Sequence, residues 1–209
     1  MSTRLTVLLS QRSETPLVAD EIGRRIVEAA ATCFIRDGVG KTTMVGIADE
    51  AGVGVATVYR RFGHKDNLVQ VTLLMEIHRF LDVLTARLAT AGSPEDQLAE
   101  GFATFVAFVA NRPLLIDALE HDEAANLLPI LTTGASPFLA LGTAYIADLV
   151  ERWQSAYGFD NAYDPRLIAE IFARLAHSLA LTPDGRIPVG DEAAARAFAR
   201  TYLLPLLHP

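Results

Sequence analysis

Apolar residues recur every three to four positions along most of this chain, a spacing that predicts helices. The periodicity predicts helices over residues 20–37, 44–51, 65–91, 94–111, 113–121, 138–157, 165–181 and 190–204, with further short ones over 55–62 and after 124. No stretch gives a convincing strand, and there is no internal repeat or low-complexity run. The pattern therefore predicts an all-α protein.

The helix predicted over 44–51 is short and has one apolar face, formed by Met44, Ile47, Ala48 and Ala51. Thr43 precedes it, where a hydroxyl accepts a hydrogen bond from a free backbone N–H group. Gly52 follows it, where helices often end in a left-handed residue that glycine adopts without steric cost. These signals predict both ends of the helix.

A second short helix follows, with the sequence VATVYRRF. Val58 and Phe62 lie four positions apart and are expected to pack inward, so that Thr57, Arg60 and Arg61 project outward. Two short helices joined by a tight turn containing glycine are typical of the helix-turn-helix motif, whose second helix can enter the DNA major groove. The longer helix before them is expected to complete a three-helix head.

The residues in this region also match a known signature. They are Ile47-Ala48, Ala51-Gly52-Val53, Thr57-Val58-Tyr59, Phe62 and Lys65. Their spacing resembles the N-terminal signature of TetR-type (TetR/AcrR) transcriptional regulators over about residues 22–68. The resemblance implies a helix-turn-helix DNA-binding head over 20–65 and a helical ligand-binding and dimerisation body over 66–209. The residues before the head, 1–19, are expected to form a flexible N-terminal arm.

Two positions depart from the family pattern. Gly54 stands where serine often precedes the second helix, so no side chain caps that helix, and Val55 stands where a polar or basic residue is common. These departures concern which bases are read rather than whether DNA is bound.

The resemblance implies that Thr43, Thr57, Tyr59 and Lys65 contact phosphates, with Lys65 supplying a mobile charge. Val55 and Ala56 can touch only thymine methyl groups, whereas an arginine can bind guanine through two hydrogen bonds. The complete set predicted to contact double-stranded operator DNA is Thr43, Val45, Gly54, Val55, Ala56, Thr57, Tyr59, Arg60, Arg61, His64 and Lys65.

Charge is distributed unevenly along the chain. The formal net charge is −7, but residues 1–65 hold nine Lys and Arg against seven Asp and Glu, and residues 66–209 hold nine against eighteen. Such asymmetry is typical of a small nucleic-acid-binding head on an acidic body. The single cysteine, Cys33, excludes an internal disulfide, and its position on an apolar helix face predicts a buried, inert thiol.

Residues 1–19 contain an apolar run that is too short for a signal-peptide core. They are interpreted as a disordered or partly docked terminus. The alternative is a basic arm in which Arg4 and Arg12 touch phosphates or the minor groove.

Residues 124–147 carry no charge and are long enough for a membrane span. Residues that would leave backbone groups unpaired in lipid cluster within them, namely Pro129, Thr132, Thr133, Gly134, Ser136 and Pro137. We therefore predict a short helix, a turn and the start of a helix running to about Tyr157, with no membrane contact and a cytoplasmic location.

The helices over 138–157 and 165–181 carry apolar residues on more than one side. Excess apolar width on a helix requires a partner to cover it, and the resemblance implies that these helices pair with their symmetry mates in a C2 homodimer. The residues predicted at this interface are Leu149, Arg152, Trp153, Ile168, Ile171, Leu175 and Leu179. The alternative is that both helices are central to a single subunit.

Aromatic residues are frequent on the helices expected to surround the middle of the body. Together with the resemblance they imply an apolar cavity for a small hydrophobic effector, although each aromatic alone also fits a filled core. The residues predicted to line the cavity are Met75, His78, Phe102, Phe105, Leu119, His121, Phe138, Tyr145 and Phe172. The few polar candidates are His78, Thr104, His121, Tyr145 and His177, and for each histidine a hydrogen-bonded structural role is the alternative.

These features together predict a ligand-responsive repressor. Effector binding would shift the helix over 65–91, change the distance between the two heads of a dimer and release a near-palindromic operator. An enzyme is not expected, because no Ser-His-Asp grouping, phosphate loop or metal-ligand spacing occurs, and no cofactor is predicted. The other alternative is a hydrophobic-ligand carrier or adaptor, which would have no use for exposed Thr57, Tyr59, Arg60 and Arg61.

Overall fold

The structure, a computed structural model, describes residues 18–111, 124–157 and 164–207. Within these ranges all regular structure is helical, which confirms the all-α prediction. The helices are α1 Glu21–Asp37, α2 Met44–Ala51, α3 Val55–Phe62, α4 Lys65–Leu88, α5 Pro94–Ala110, α6 Ala124–Leu131, α7 Ser136–Tyr157, α8 Pro165–Leu181 and α9 Glu192–Phe198, followed by a π-helical turn Ala199–Leu203 and a 3-10 turn Leu204–Leu206. The predicted helix over 113–121 lies outside the described residues, as do Arg4, Arg12, Leu119 and His121.

The chain divides into two compact units. Among the described residues, the first unit contains 18–78 and 124–136, and the second contains 79–111, 137–157 and 164–207. Helix α4 therefore contributes residues to both units. The domain boundaries at 19/20 and 65/66 stay predictions.

Short-range signals set the ends of the first two helices. Asp20 is the N-cap of α1, where its carboxylate accepts a hydrogen bond from the backbone N–H of Gly23 at 2.8 Å. Thr43 is the N-cap of α2, where its hydroxyl oxygen accepts one from the N–H of Gly46 at 3.0 Å. Gly52 ends α2 in the left-handed region with φ 63°. Both predicted ends of α2 are confirmed.

A small apolar core holds the first three helices together, with α1 packed against α2 and α2 against α3. Ile26, Ile47, Val58 and Phe62 are almost completely buried. Cys33 is equally buried, and this burial raises the pKa of its thiol. The thiol is therefore protonated at neutral pH, as predicted for an inert cysteine.

In the second unit α9 packs against α5. Ala103, Val106 and Ala195 form a buried cluster there, and small side chains at such a contact let two helices approach closely. Phe102, Phe105 and Val189 pack around this cluster.

The last helix and the turn after it bury one side only. Tyr202 lies on the other side and is 64% exposed. The buried residues are Ala195, Ala199 and Leu203, spaced every four positions. The π-helical turn over Ala199–Leu203 winds more slowly than an α-helix and keeps this four-residue spacing on one side.

The uncharged stretch forms two helices separated by a turn, as predicted. α6 ends at Leu131, the backbone N–H of Gly134 donates to the carbonyl of Pro129 at 2.8 Å, and α7 begins at Ser136. By length and composition alone, Leu127–Ala156 is apolar enough to cross a membrane, a test that core helices of soluble proteins also pass. The turn over 132–135 divides that stretch in two.

Candidate nucleic-acid interface

Two glycines shape the turn between α2 and α3. Gly52 takes the left-handed backbone, and the N–H of Val53 donates to the carbonyl of Ala48 at 3.0 Å. Gly54 precedes α3 with φ −69° and ψ 138°, and no side chain caps the helix there, as predicted. The turn is therefore defined by backbone geometry, and α3 begins directly after it.

Arg25 of α1 holds this turn in place. Its Nη2 donates to the carbonyl oxygen of Ala51 at 2.5 Å and lies 3.4 Å from that of Gly52. A Cβ atom at Gly52 would lie 2.9 Å from the same nitrogen, so a side chain there would displace the end of Arg25, while the left-handed φ is what favours glycine. Arg25 did not stand out in the sequence, because it lies 26 positions before Ala51 and no periodicity links them.

Helix α3 has one side in the core and the other in solvent. Val58 and Phe62 are fully buried, which confirms that they pack inward. The exposed residues of the helix are Val55, Ala56, Tyr59 and Arg60, and Thr57 is half-buried. The tyrosine is 50% exposed, so its hydroxyl can reach a partner outside the protein. This outward side is the surface predicted to meet DNA.

Arg61 corrects one part of that prediction, because its side chain does not project outward. Its Nη1 donates to Oδ1 of Asp20 at 2.9 Å and its Nη2 donates to Oδ2 at 2.5 Å. The hydrogen bonds from Arg61, followed by the one from the N–H of Gly23, hold the pKa of Asp20 below its usual range. Arg61 therefore ties the end of α3 to the N-cap of α1.

Lys65 corrects a second part. Its ammonium Nζ donates to the carbonyl oxygens of Val39 at 2.8 Å, Gly40 at 3.2 Å and Thr42 at 3.2 Å. An ammonium group has three N–H donors, so all of them are used within the protein. The expectation of a mobile charge is wrong, since Lys65 fixes the loop before α2 to the start of α4.

The remaining predicted contact residues lie at the edges of the outward surface. Thr43 and Val45 are exposed at the start of α2, where the threonine also serves as the N-cap. The Nδ1 atom of exposed His64 accepts a hydrogen bond from the backbone N–H of Asn67 at 3.3 Å. Lys41 was not predicted, yet it is exposed two residues before Thr43. Its position next to the cap could have indicated a phosphate contact.

The residues predicted to line a ligand cavity are divided between the two units. Met75 and His78 are half-buried in the first unit, and Phe138, Tyr145 and Phe172 are buried in the second. Of the other polar candidates, Thr104 is buried and His177 is half-buried. The common cavity stays a prediction.

Two of the candidate cavity phenylalanines contact other rings. Phe102 stacks on Phe198 of α9 with ring centroids 5.5 Å apart. Phe105 meets the edge of Phe80, at 6.3 Å between centroids, and Phe80 in turn stacks on Phe108. The ring of Phe102, a residue of α5, therefore packs against α9.

Tyr145 is the buried polar candidate whose bonding is defined. Its hydroxyl lies 2.9 Å from Oγ1 of Thr85, and that threonine donates to the carbonyl of Leu81 at 2.6 Å. The tyrosine O–H is therefore the donor of the pair. Burial raises the pKa of Tyr145, so it stays a neutral donor. A hydroxyl already bonded in this way links α4 and α7 within the second unit.

The residues predicted at a dimer interface separate into two groups. Leu149, Trp153, Ile168 and Leu179 are buried within the single chain, so most of their surface is covered without a second subunit, and their place at a dimer interface stays a prediction. The indole Nε1 of Trp153 donates to Oε1 of Gln97 at 2.7 Å, which anchors α7 to α5.

The other three candidates remain accessible to different degrees. Ile171 is 48% exposed, Leu175 is half-buried, and Arg152 pairs with the buried carboxylate of Asp148 on the same helix. Leu167, which was not predicted, is 62% exposed one turn before Ile171. The accessible apolar surface therefore lies on α8 rather than on α7.

Within the ranges that the structure describes, no group of three or more His, Cys, Asp or Glu side chains is placed to hold a metal ion.

Family sequence models match both parts of the chain. The model described as bacterial regulatory proteins, tetR family, matches residues 26–72, and the model described as bacterial tetracyclin repressor, C-terminal domain, matches residues 94–202, more than half of the chain. The chain belongs to the TetR family. As a TetR-family protein it is a DNA-binding transcriptional regulator, which favours this function over the carrier or adaptor alternative.

Known relatives and solved structures agree with TetR membership. The HTH-type transcriptional regulator AlkX of Mycobacterium tuberculosis is 29% identical over 160 residues, which cover 76% of this chain and 72% of the relative. The structure of the TetR family repressor AlkX from Dietzia sp. strain DQ12-45-1b superposes with a TM-score of 0.68, at 23% identity, over 90% of this chain and 98% of that one.

A further TetR-fold structure is FadR from Bacillus subtilis in complex with stearoyl-CoA. It has a TM-score of 0.57 and 15% identity, over 85% of this chain and 97% of that one. At these identities the two solved structures show that the fold is shared. The names of these relatives are those of regulators rather than of enzymes.

Proposed function

We propose that this TetR-family protein is a cytoplasmic repressor that binds a near-palindromic operator as a homodimer and releases it when a small hydrophobic effector binds. The observation that carries the proposal is the outward side of α3, where Ala56, Tyr59 and Arg60 are exposed while the opposite side is anchored in the core. A helix held in this way places exposed side chains against base edges and phosphates in the major groove. Because the whole chain is acidic, attraction to DNA depends on this local surface.

The dimer in this proposal forms through α8. Leu167 and Ile171 are exposed one turn apart, and Leu175 continues the row by another turn. A row of large apolar side chains along one helix is a surface that a second copy can cover in a symmetric pair. Two heads with a separation of about 34–36 Å then contact successive major grooves, which requires a near-palindromic site.

The proposed effector is a compound with a long apolar chain. Phe138, Tyr145 and Phe172, three of the residues predicted to line the cavity, are buried, and two of the three side chains carry no polar group. The Dietzia repressor is described as implicated in biodegradation of n-alkanes, and the Bacillus subtilis FadR structure contains stearoyl-CoA. We extend this chemical class, alkyl and fatty-acyl compounds, to the present protein.

Release follows if the effector prefers a conformation in which the two heads no longer match the operator. α4 contributes residues to both compact units, so a movement of this helix is the proposed link between them. Operator affinity depends on both heads binding at once, and losing the second contact lowers affinity by about 100- to 10,000-fold. An effector shifts the equilibrium only by its preference for the released conformation.

The test starts from random-sequence duplex DNA selected by the pure full-length protein. Gel shifts of the selected fragment follow, with and without stearoyl-CoA or n-hexadecane. We expect a palindromic consensus, one dimer per site and release by the apolar probes. A monomeric protein that selects no sequence contradicts the proposal, and selected DNA that neither probe releases contradicts the effector class alone.

A further inference from the structure

The basic side chains of the head fall into two groups, those that bond within the protein and those that are exposed to solvent. Residues 18–78 hold seven Lys and Arg residues, and five of them bond within the protein. These are Arg24 with Glu21, Arg25 with the carbonyls of Ala51 and Gly52, Arg36 with Asp37 and Glu50, Arg61 with Asp20, and Lys65 with three loop carbonyls. Lys41 and Arg60 are exposed, and within the described parts of the chain their side-chain nitrogens bond to no other residue.

We infer that Arg60 is the specificity-determining residue of α3 and that its guanidinium binds a guanine base through two hydrogen bonds in the major groove, whereas Arg61 is a positioning residue. The inference rests on the proposed function, because it assigns the base contact within the same DNA-binding surface. It also separates two adjacent arginines that the sequence presents as equivalent.

The rotation of the helix explains why the two arginines differ. At about 100° per residue, Arg60 lies about 180° around α3 from the midpoint of Val58 and Phe62, the two residues that define the inward direction. Arg61 lies about 80° from that inward direction, on the flank that faces Asp20. Arg60 is therefore at the centre of the outward side, and Arg61 is bound at its edge.

The neighbours of Arg60 leave room for a base pair. Ala56 lies one turn earlier on the outward side and is exposed. Its methyl group is short enough to let the helix approach the groove floor, and it can touch a thymine methyl beside the guanine. Tyr59 is exposed on one flank, where its hydroxyl suits a phosphate.

The chemistry of the two available cations favours a base for Arg60 and a phosphate for Lys41. A guanidinium is planar and presents paired donors that match the O6 and N7 acceptors of guanine. The ammonium of Lys41 is a compact point charge and lies before α2, outside the recognition helix. Arg60 is thus the one described basic side chain on α3 that is free to discriminate between bases.

The experiment compares the DNA sequences selected from a random duplex pool by the wild-type protein and by Arg60→Ala, Arg60→Gln and Arg61→Ala. Without the Arg60 guanidinium we expect one G·C position in each half-site to lose its preference, with discrimination against other bases falling about 5- to 150-fold. The rest of the consensus should persist. Arg61→Ala should keep the preference at that position while lowering affinity for all sites.

Lys41→Ala is the matched control for loss of one exposed charge. It should weaken binding to all sequences equally. The slope of the logarithm of the binding constant against the logarithm of salt concentration should decrease by the amount expected for about one lost phosphate contact per head. An unchanged consensus for both Arg60 variants, or a base preference lost in Arg61→Ala instead, overturns the inference while leaving DNA binding intact. A wild-type protein that selects no sequence overturns the proposed function itself, and circular dichroism verifies that each variant is folded.

Discussion

The guanidinium of Arg61 and the carboxylate of Asp20 form a two-point ion pair that joins the end of α3 to the beginning of α1, with nitrogen–oxygen distances of 2.9 and 2.5 Å. The same Oδ1 atom of Asp20 also accepts the backbone N–H of Gly23. One carboxylate thus caps one helix and orients another. Because α3 is the helix proposed to enter the major groove, this pair helps to set the angle at which it is presented.

The first prediction concerns Asp20→Asn. Asparagine caps a helix about as well as aspartate, so this variant keeps the acceptor for Gly23 and loses only the charge that binds Arg61. We expect a small decrease in melting temperature at pH 7 and an operator affinity lowered by a few-fold. Calorimetry and fluorescence anisotropy measure the two effects. Asp20→Ala should be less stable still, because it also removes the cap.

The difference in melting temperature between wild type and Asp20→Asn should depend on pH, and the sign of the pKa shift of Asp20 gives the direction. The pKa of Asp20 is depressed in the folded chain, mainly by Arg61. Its stabilising contribution is therefore fully present above the ordinary pKa of an aspartate and is lost as the pH falls through the folded value. The melting temperatures of wild type and Asp20→Asn should converge in acid. A difference that stays constant into the acid range would exclude the ion pair as its cause.

A second prediction separates a structural from a DNA-contacting role for Lys65. Lys65→Met keeps the aliphatic stem but leaves the carbonyls of Val39, Gly40 and Thr42 without their donor. We expect the free energy of unfolding to fall by about 1–3 kcal/mol. The slope of operator affinity against salt concentration should stay unchanged, because no phosphate contact is lost.

Lys41→Ala supplies the comparison for Lys65→Met. Lys41 is exposed and caps nothing, so its loss should leave stability within about 0.5 kcal/mol of wild type while reducing the salt slope. If instead Lys65→Met has the smaller salt slope, Lys65 contacts a phosphate and the structural assignment is contradicted.

Local signals were sufficient to predict the helix-turn-helix. Thr43 and Gly52 act through neighbouring backbone groups, and the spacing of Val58 and Phe62 fixes which side of α3 is buried. The tasks of Arg61 and Lys65 were not predictable in this way. Each bonds to groups between 23 and 41 positions earlier in the chain, and no periodic pattern records such pairs.

The body was harder to interpret. A helix with apolar residues on several sides can be covered by its own chain or by a second subunit, and the sequence pattern does not say which. Trp153 and Leu149 are covered by the chain itself, whereas Leu167 on α8 is not. These outcomes depend on tertiary packing, which periodicity along a single helix does not contain.

A third prediction uses the two glycines of the turn as a matched pair. Gly52→Ala places a side chain at φ 63° and 2.9 Å from Nη2 of Arg25. We expect it to lower the free energy of unfolding by about 1–2 kcal/mol through the left-handed backbone alone, with a further loss from displacing the arginine. Gly54→Ala has an ordinary φ and an added Cβ that meets nothing within 4 Å, so it should be neutral or slightly stabilising. Equal effects at both sites in chemical denaturation would contradict this assignment.

The last prediction tests the proposed dimer through two residues of the predicted interface that the structure separates. Ile171→Asp places a charge on the exposed side of α8, so it should yield a monomer by light scattering, leave the stability of the chain within about 0.5 kcal/mol, and lower operator affinity by about 100-fold or more. Trp153→Phe instead loses the buried hydrogen bond to Gln97 and should destabilise the fold by about 1–2 kcal/mol while remaining dimeric. A dimer that persists in Ile171→Asp would show that the subunits pair through a surface other than α8.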